Sequence, residues 1–194
     1  LLDAGCGTGL LSKHLIDRRS DSDIHGLDIS DEMLSYYKEV NKSFSTRDIE
    51  NLPFKDGYFS HSLSSFALHW THLEESLSEL ARVTHKYISF ALPIEGSLTQ
   101  FNFPFPDKGK ILSLLADIGI EVDYVETQNI PIPYEGLELI KFFHYTGSSF
   151  NGRKRDSLIT KEWLDNLIRN NQDESHEFIV LYVLGHKKID SVRL

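Results

Sequence analysis

Positive charge, cysteine and long apolar runs are the scarce components of this sequence. Its 194 residues carry 20 Lys and Arg against 29 Asp and Glu, a formal charge of −9. A broad nucleic-acid surface needs a basic face, so nucleic acid is not expected as a partner. One cysteine cannot close an internal disulfide, which fits a reducing, cytoplasmic setting. No run is long and apolar enough for a membrane-spanning helix, so no membrane partner is expected. There are nine histidines, but His69 and His72 stand three apart without an H-E-x-x-H, an H-x-H or an acidic cluster, and no metal site is expected. Internal repeats and low-complexity segments are missing too. With 40% hydrophobic residues, what remains is one globular domain, residues 1–194, with room for a sizeable core. A monomer is expected.

What is present begins at once. Leu1-Leu2-Asp3-Ala4-Gly5-Cys6-Gly7-Thr8-Gly9 is an apolar strand end, an aspartate and three glycines at alternate positions, running into the helical pattern Leu10, Leu11, His14, Leu15. Alternate glycines let the backbone turn tightly and approach a ligand, and the helix that follows aims free N–H groups and its positive end at an anionic group. The dinucleotide fingerprint is G-x-G-x-x-G, whereas this loop reads G-x-G-x-G. Asp3 would repel a pyrophosphate but suits a cation. S-adenosylmethionine has an ammonium, a sulfonium and a carboxylate, and no phosphate, so the loop favours it over NAD. Asp28 ends the apolar run Ile24-His25-Gly26-Leu27, near the usual distance for a carboxylate that takes ribose hydroxyls. Asp48 offers an acid for the adenine amino group, with Ile49 to pack on the ring. The stretch Tyr58 to Ser65 carries a fourth strand and opens on Phe66-Ala67-Leu68-His69-Trp70, and ligands of open α/β sheets sit at such carboxyl ends.

The runs DAGCGTG, GLDIS-x-x-ML, DIENLPF, SSFALHW and ELARVT together resemble a class I S-adenosylmethionine-dependent methyltransferase, and among these the malonyl-carrier-protein O-methyltransferases of biotin synthesis. The resemblance is nearly full length, taking in Glu95-Gly96-Ser97-Leu98, Leu158-Ile159-Thr160-Lys161 and Val183-Leu184-Gly185. It implies cofactor contacts from Asp3, Gly5, Cys6, Gly7, Gly9, Asp28, Ile29, Met33, Asp48, Ile49, Ser64 and Ser65. It also implies an acyl acceptor on carrier protein or coenzyme A, S-adenosylhomocysteine as a product, and a Rossmann-like, doubly wound, seven-stranded sheet. Family members have helices before the first strand, so further residues are expected ahead of Leu1. The stretch Glu95 to Pro106 is shorter than the family normally has.

Punctuation and period place helices at Leu10–Arg19, Asp31–Val40 behind Ser30, Leu73–Val83, and Lys108–Asp117 behind Asp107. Strands are placed at Ile24–Leu27, Ser43–Arg47, Tyr58–Leu63, Tyr87–Leu92, Glu121–Ile130 and Glu177–His186. Their alternation predicts a mostly parallel sheet, with the last strand antiparallel as in the family. Residues 131–176 form a long connection between strands six and seven, carrying helical patterns at Tyr134–His144 and Lys161–Asn170. A connection of that length reads as a helical substrate lid. On it, Arg153-Lys154-Arg155 with Lys141 is a candidate landing site for an acidic carrier protein.

Several chemistries lack their residues. Base-amine methyltransferases carry Asn or Asp, then Pro-Pro and an aromatic, where this chain has Ser64-Ser65-Phe66-Ala67. The lone Cys6 lies in the glycine loop, where it fills a tight turn and is not a nucleophile. Glu74 and Glu75 open a helix and serve its dipole. A carboxylate acceptor needs no general base, because it is ionised at neutral pH and requires only in-line placement in a water-excluded site. His69 and Trp70, beyond the fourth strand, are the candidates for the wall beside the methyl. Two readings stay open beside malonyl transfer: another small carboxylate or hydroxyl acceptor, and a cofactor-binding accessory protein without turnover.

Overall fold

In the computed structural model, the described residues are 1–19, 23–99, 103–134, 138, 139, 141 and 176–188. The elements run β1 Leu2–Ala4, α1 Leu10–Arg18, β2 His25–Asp28, α2 Asp31–Tyr37, β3 Phe44–Thr46, β4 Phe59–Ser65, α3 Leu73–Val83, β5 Thr84–Pro93, α4 Lys108–Asp117, β6 Ile120–Ile132 and β7 His176–Lys187. They build one seven-stranded sheet in the order β3-β2-β1-β4-β5-β7-β6. The first five strands of that order are parallel, and β7 runs antiparallel between β5 and β6. The sheet is the Rossmann-like one expected. Strand order reverses between β1 and β4, so the crevice at their carboxyl ends is the place for a ligand.

Two helices show how local chemistry sets the boundaries. Asp107 accepts the Lys110 N–H at 2.9 Å and starts α4. Ahead of α3, Glu50 accepts the His72 backbone N–H at 2.7 Å and pairs with His72 Nδ1 at 2.8 Å, while Glu74 and Glu75 sit in the first turn. The apolar face of α3, Leu77, Leu80 and Ala81, joins Ile88, Phe90 and Leu92 of β5, Ile111 and Leu115 of α4, and Leu181 and Val183 of β7 in the main core. Near its end, Arg82 donates to both Glu79 oxygens, to Asp56 and to the carbonyls of Leu52 and Phe54. One guanidinium therefore fastens the loop after β3 to the helix after β4. That loop carries Asp48 and Ile49.

Some boundaries differ from expectation. β5 starts at Thr84, directly after α3, because pairing with Phe59 carries the polar run Thr84-His85-Lys86 into the strand. α2 stops at Tyr37 and does not continue to Val40. The connection read as a lid is shorter at both ends, since β6 reaches Ile132 and β7 begins at His176. Within it, Glu138, Leu139 and Lys141 are helical, and Lys141 donates to Glu138 at 2.7 Å. The Lys161–Asn170 pattern and Arg153, Lys154 and Arg155 lie outside the described residues.

Candidate active site

The site starts from three glycines in left-handed backbone: Gly5 at φ 72°, Gly7 at 53° and Gly9 at 91°. Side chains disfavour that region, so glycine is what allows the turn. The loop is tied to β2 at two levels. The Leu27 carbonyl accepts N–H groups from Gly5 at 2.7 Å and Cys6 at 2.9 Å. One residue on, Asp28 accepts the Gly7 N–H at 2.8 Å on one oxygen and the Ser30 N–H at 2.9 Å on the other. Ser30 in turn caps α2 by accepting the Met33 N–H. A carboxylate oxygen accepts along two lone pairs, so Asp28 keeps one acceptor site on each oxygen.

Space around the glycines is uneven. A Cβ on Gly5 would stand 2.1 Å from the Ala67 Cβ and 3.5 Å from Ile49 Cδ1, whereas one on Gly7 would meet nothing within 4 Å. The loop thus packs down on Ala67 and Ile49 at Gly5 and is open at Gly7. No side chain caps α1, which begins after Gly9, and that leaves its first N–H groups at the open end. Ile29 is 69% exposed beside Asp28, and Ile49 is buried opposite. Asp48 is exposed and closes its own turn by accepting the Glu50 N–H at 3.0 Å.

Asp3 stands elsewhere than a reading as direct partner of a cation would have it. It is 1% exposed, and its carboxylate accepts the Ser12 hydroxyl at 2.6 Å beneath the loop. Burial pushes its carboxyl up to about 6, against the opposing Ser12 hydrogen bonds and with help from the Asp28 charge. Cys6 packs with Leu34 and Tyr37, and burial, with the charges of Asp3 and Asp28 behind it, drives its thiol far above the ordinary range. It stays a protonated, inert filler.

At the end of β4 the chain folds into an aromatic nest. Phe66 adopts φ 55°, and a 3-10 turn, Leu68–Trp70, follows. A non-glycine residue held there is strained, a condition concentrated at functional sites. The His69 ring lies 4.8 Å from Trp70, 5.7 Å from Phe105 and 6.3 Å from Phe66, centre to centre. Phe178 of β7 touches Phe66 and Phe105, and Phe103 stacks on Phe105 and meets Trp70 edge-on. Burial lowers His69 to about 4, so it is a neutral imidazole at pH 7. Its Nδ1 and the Ser64 Oγ are buried with no hydrogen-bond partner among the described residues. Ser65, by contrast, is exposed. Unpaired buried polar atoms are rare and costly, and here two occur within six residues at the ligand end of the sheet.

The structure therefore brings the glycine loop, Asp28, Ile29, Ile49, Ser64 and His69 to one end of the sheet. Sequence reasoning missed Ser12, Tyr37 and Ala67, whose parts depend on contacts across the fold. Among the described residues no group of His, Cys, Asp and Glu is placed to hold a metal, and no helix is long and apolar enough to cross a membrane.

Residues 2–88 match the model of a methyltransferase domain. Over 186 residues, 88% of this chain, it is 31% identical to the malonyl-acyl-carrier-protein O-methyltransferase of Buchnera aphidicola subsp. Baizongia pistaciae and covers 74% of that enzyme. The chain belongs to the malonyl-acyl-carrier-protein O-methyltransferase family. A second member, from Pectobacterium atrosepticum, is 37% identical over 107 residues, and there the match spans 53% of this chain but only 42% of the relative. Among solved structures, the YcgJ protein of Bacillus subtilis superposes with a TM-score of 0.69 at 18% identity, covering 97% of this chain and 91% of that one. A geranyl diphosphate C-methyltransferase of Streptomyces coelicolor, solved with S-adenosylhomocysteine, gives 0.64 at 13% identity over 96% of this chain and 70% of that one. At such identities these two bear on the fold alone. The family's cofactor is S-adenosylmethionine, and the open glycine loop with free acceptor positions on Asp28 fits it.

Proposed function

We propose that this chain methylates the free carboxylate of a malonyl thioester, on carrier protein or coenzyme A, producing the methyl ester and S-adenosylhomocysteine. The observation that carries this reading is the 31% identity over 186 residues to an enzyme named for that reaction. S-adenosylmethionine supplies an electrophilic methyl on a sulfonium. In this reading Asp28 holds the ribose hydroxyls, Ile29 and Ile49 sandwich the adenine with Asp48 at its amino edge, and the first turn of α1 takes the cofactor's carboxylate. Met33, Ser64 and Ser65 complete the contacts.

The nest beyond β4 suits the acceptor. A carboxylate oxygen attacks the methyl carbon as the carbon–sulfur bond breaks, and no proton moves. With no proton to remove from the carboxylate, His69 is not required as a base; as a neutral imidazole at pH 7 it has one N–H to donate, and with Trp70 it walls the methyl and excludes water. Lys141 and the Arg153-Lys154-Arg155 cluster are proposed to attract an acidic carrier protein. A cytoplasmic monomer completes the reading.

Labelled methyl transfer from S-adenosylmethionine to malonyl-carrier protein, malonyl-coenzyme A and free malonate, run in parallel with the full chain, tests it. The expected product is a base-labile methyl ester on the malonyl thioester. Cofactor binding with no ester on any of the three would reject it. The Asp28→Asn variant is expected to bind S-adenosylmethionine about tenfold more weakly, the loss of one charge-assisted hydrogen bond of ~1.5 kcal/mol, as read by calorimetric titration.

A further inference from the structure

Under the glycine loop, β1, α1 and α2 are joined by a buried line of three polar side chains. Ser12, the buried residue of α1, donates to Asp3 Oδ2 at 2.6 Å, and the Tyr37 hydroxyl lies 2.9 Å from the Ser12 oxygen. The single Ser12 proton is committed to the carboxylate, so Tyr37 is the donor in the second bond. Tyr37 and Ser12 are both wholly buried. Two glycines make the room. A Cβ on Gly26 would fall 2.3 Å from Tyr37 Cζ, and one on Gly9 would fall 2.9 Å from Tyr37 Cδ2. Gly26 is not in left-handed backbone, so the ring of Tyr37, and not a turn, is what requires glycine there. The tyrosine is wedged between the start of α1 and the middle of β2 with its hydroxyl directed along a relay to Asp3.

We propose that Tyr37 is a positioning residue of the cofactor site, acting through Ser12 to hold Asp3 as an ionised countercharge directly behind the glycine loop. The proposal rests on the cofactor reading above and adds to it a residue that touches no ligand. A buried carboxylate is little screened by solvent, so its charge reaches a cation on the other side of the loop. Hydroxyl donors are what make that charge tolerable, and a relay of two polarises each bond. The charged or titratable groups facing Asp3 are Asp28, which opposes its ionisation, the protonated Cys6 thiol, and Tyr37 itself. The sign follows. Because burial raises Asp3 to about 6, stability of the ligand-free fold from its protonated form is complete below the ordinary 3.8 and is lost as pH rises through about 6. Binding of a cation runs the other way and strengthens as Asp3 ionises.

The test is calorimetric titration of S-adenosylmethionine, without acceptor, into the full chain from pH 5 to 8. The parent is expected to bind more tightly with rising pH, with a midpoint near 6. Tyr37→Phe keeps the ring and removes the donor. It should bind three- to tenfold more weakly at pH 6, with the midpoint displaced upward. Ser12→Ala breaks the same relay from α1 and should move the midpoint in the same direction, while Asp3→Asn should abolish the pH dependence. Tyr36→Phe, on the exposed side of α2, should match the parent. If Tyr37→Phe and Ser12→Ala lower the melting temperature but leave the midpoint in place, the residues are structural only and the proposal is overturned. A parent that binds S-adenosylmethionine at no pH overturns the cofactor reading and this one with it.

Discussion

Gly5→Ala is expected to abolish measurable cofactor binding and to destabilise the fold by ~3 kcal/mol, whereas Gly7→Ala should cost the fold only ~1–2 kcal/mol. Both residues have positive φ, so both substitutions pay the left-handed penalty of ~1–2 kcal/mol. Only Gly5 adds a collision. Its new Cβ would stand 2.1 Å from Ala67 Cβ, an atom that no rotamer can move aside, and overpacking of this kind adds ~1–3 kcal/mol. The displaced segment is the one whose N–H groups bind Leu27 O, so the loop is lifted from β2 and Asp28 loses its Gly7 contact. Gly5→Ala paired with Ala67→Gly should recover most of the collision term and leave the backbone penalty, a coupling that a double-mutant cycle in urea measures. Additive effects of the two substitutions would mean that the loop does not rest on Ala67. Gly7→Ala separates the two roles of the loop. Its Cβ meets no protein atom, so affinity should fall much more than stability if ligand occupies that space.

The contrast between Gly5 and Gly7 also marks how far the sequence could be read. Local signals were sufficient where the cause is local. Asp107 before α4 and the apolar stripe of α3 located those helices to the residue. The glycine loop and the acid ending β2 were legible because spacing along the chain carries them. The rest depends on what the sheet brings together. Ser12 looks like an ordinary polar residue of a helix, and Tyr37 like one of two adjacent tyrosines; only the register Asp3↔Gly26 places them around one carboxylate. Asp3 lies beneath the loop because its side chain stands off the face of β1 on which Ser12 of α1 and Tyr37 of α2 pack. The insertion of β7 between β5 and β6 is likewise invisible to periodicity, because alternation identifies a strand and says nothing of its partner.

Loss of the His69 imidazole is expected to lower kcat/KM for the malonyl thioester about a hundredfold while leaving S-adenosylmethionine affinity within twofold. The ring is held by Phe66, Trp70 and Phe105, and its Nδ1 is buried with no partner among the described residues. Leaving a buried nitrogen unpaired costs the fold ~1–3 kcal/mol, so His69→Leu should be neutral or slightly stabilising in the absence of acceptor. That sign distinguishes a functional histidine from a structural one, whose removal would destabilise. With acceptor present, a donor that holds the ionised carboxylate in line contributes ~2–3 kcal/mol of binding and alignment, which is carried into kcat/KM and is the source of the hundredfold expectation. His69→Asn, whose amide nitrogen stands near the place of Nδ1, should restore part of the rate. Because burial holds His69 at about 4, the imidazole remains neutral through the working range, and kcat should show no inflection near 6.5 that His69→Leu removes. An inflection near 6.5 that disappears in this variant would show instead that His69 titrates in the complex and acts as a base. The acceptor would then be a hydroxyl, whose proton has to leave, and not a carboxylate that is already ionised.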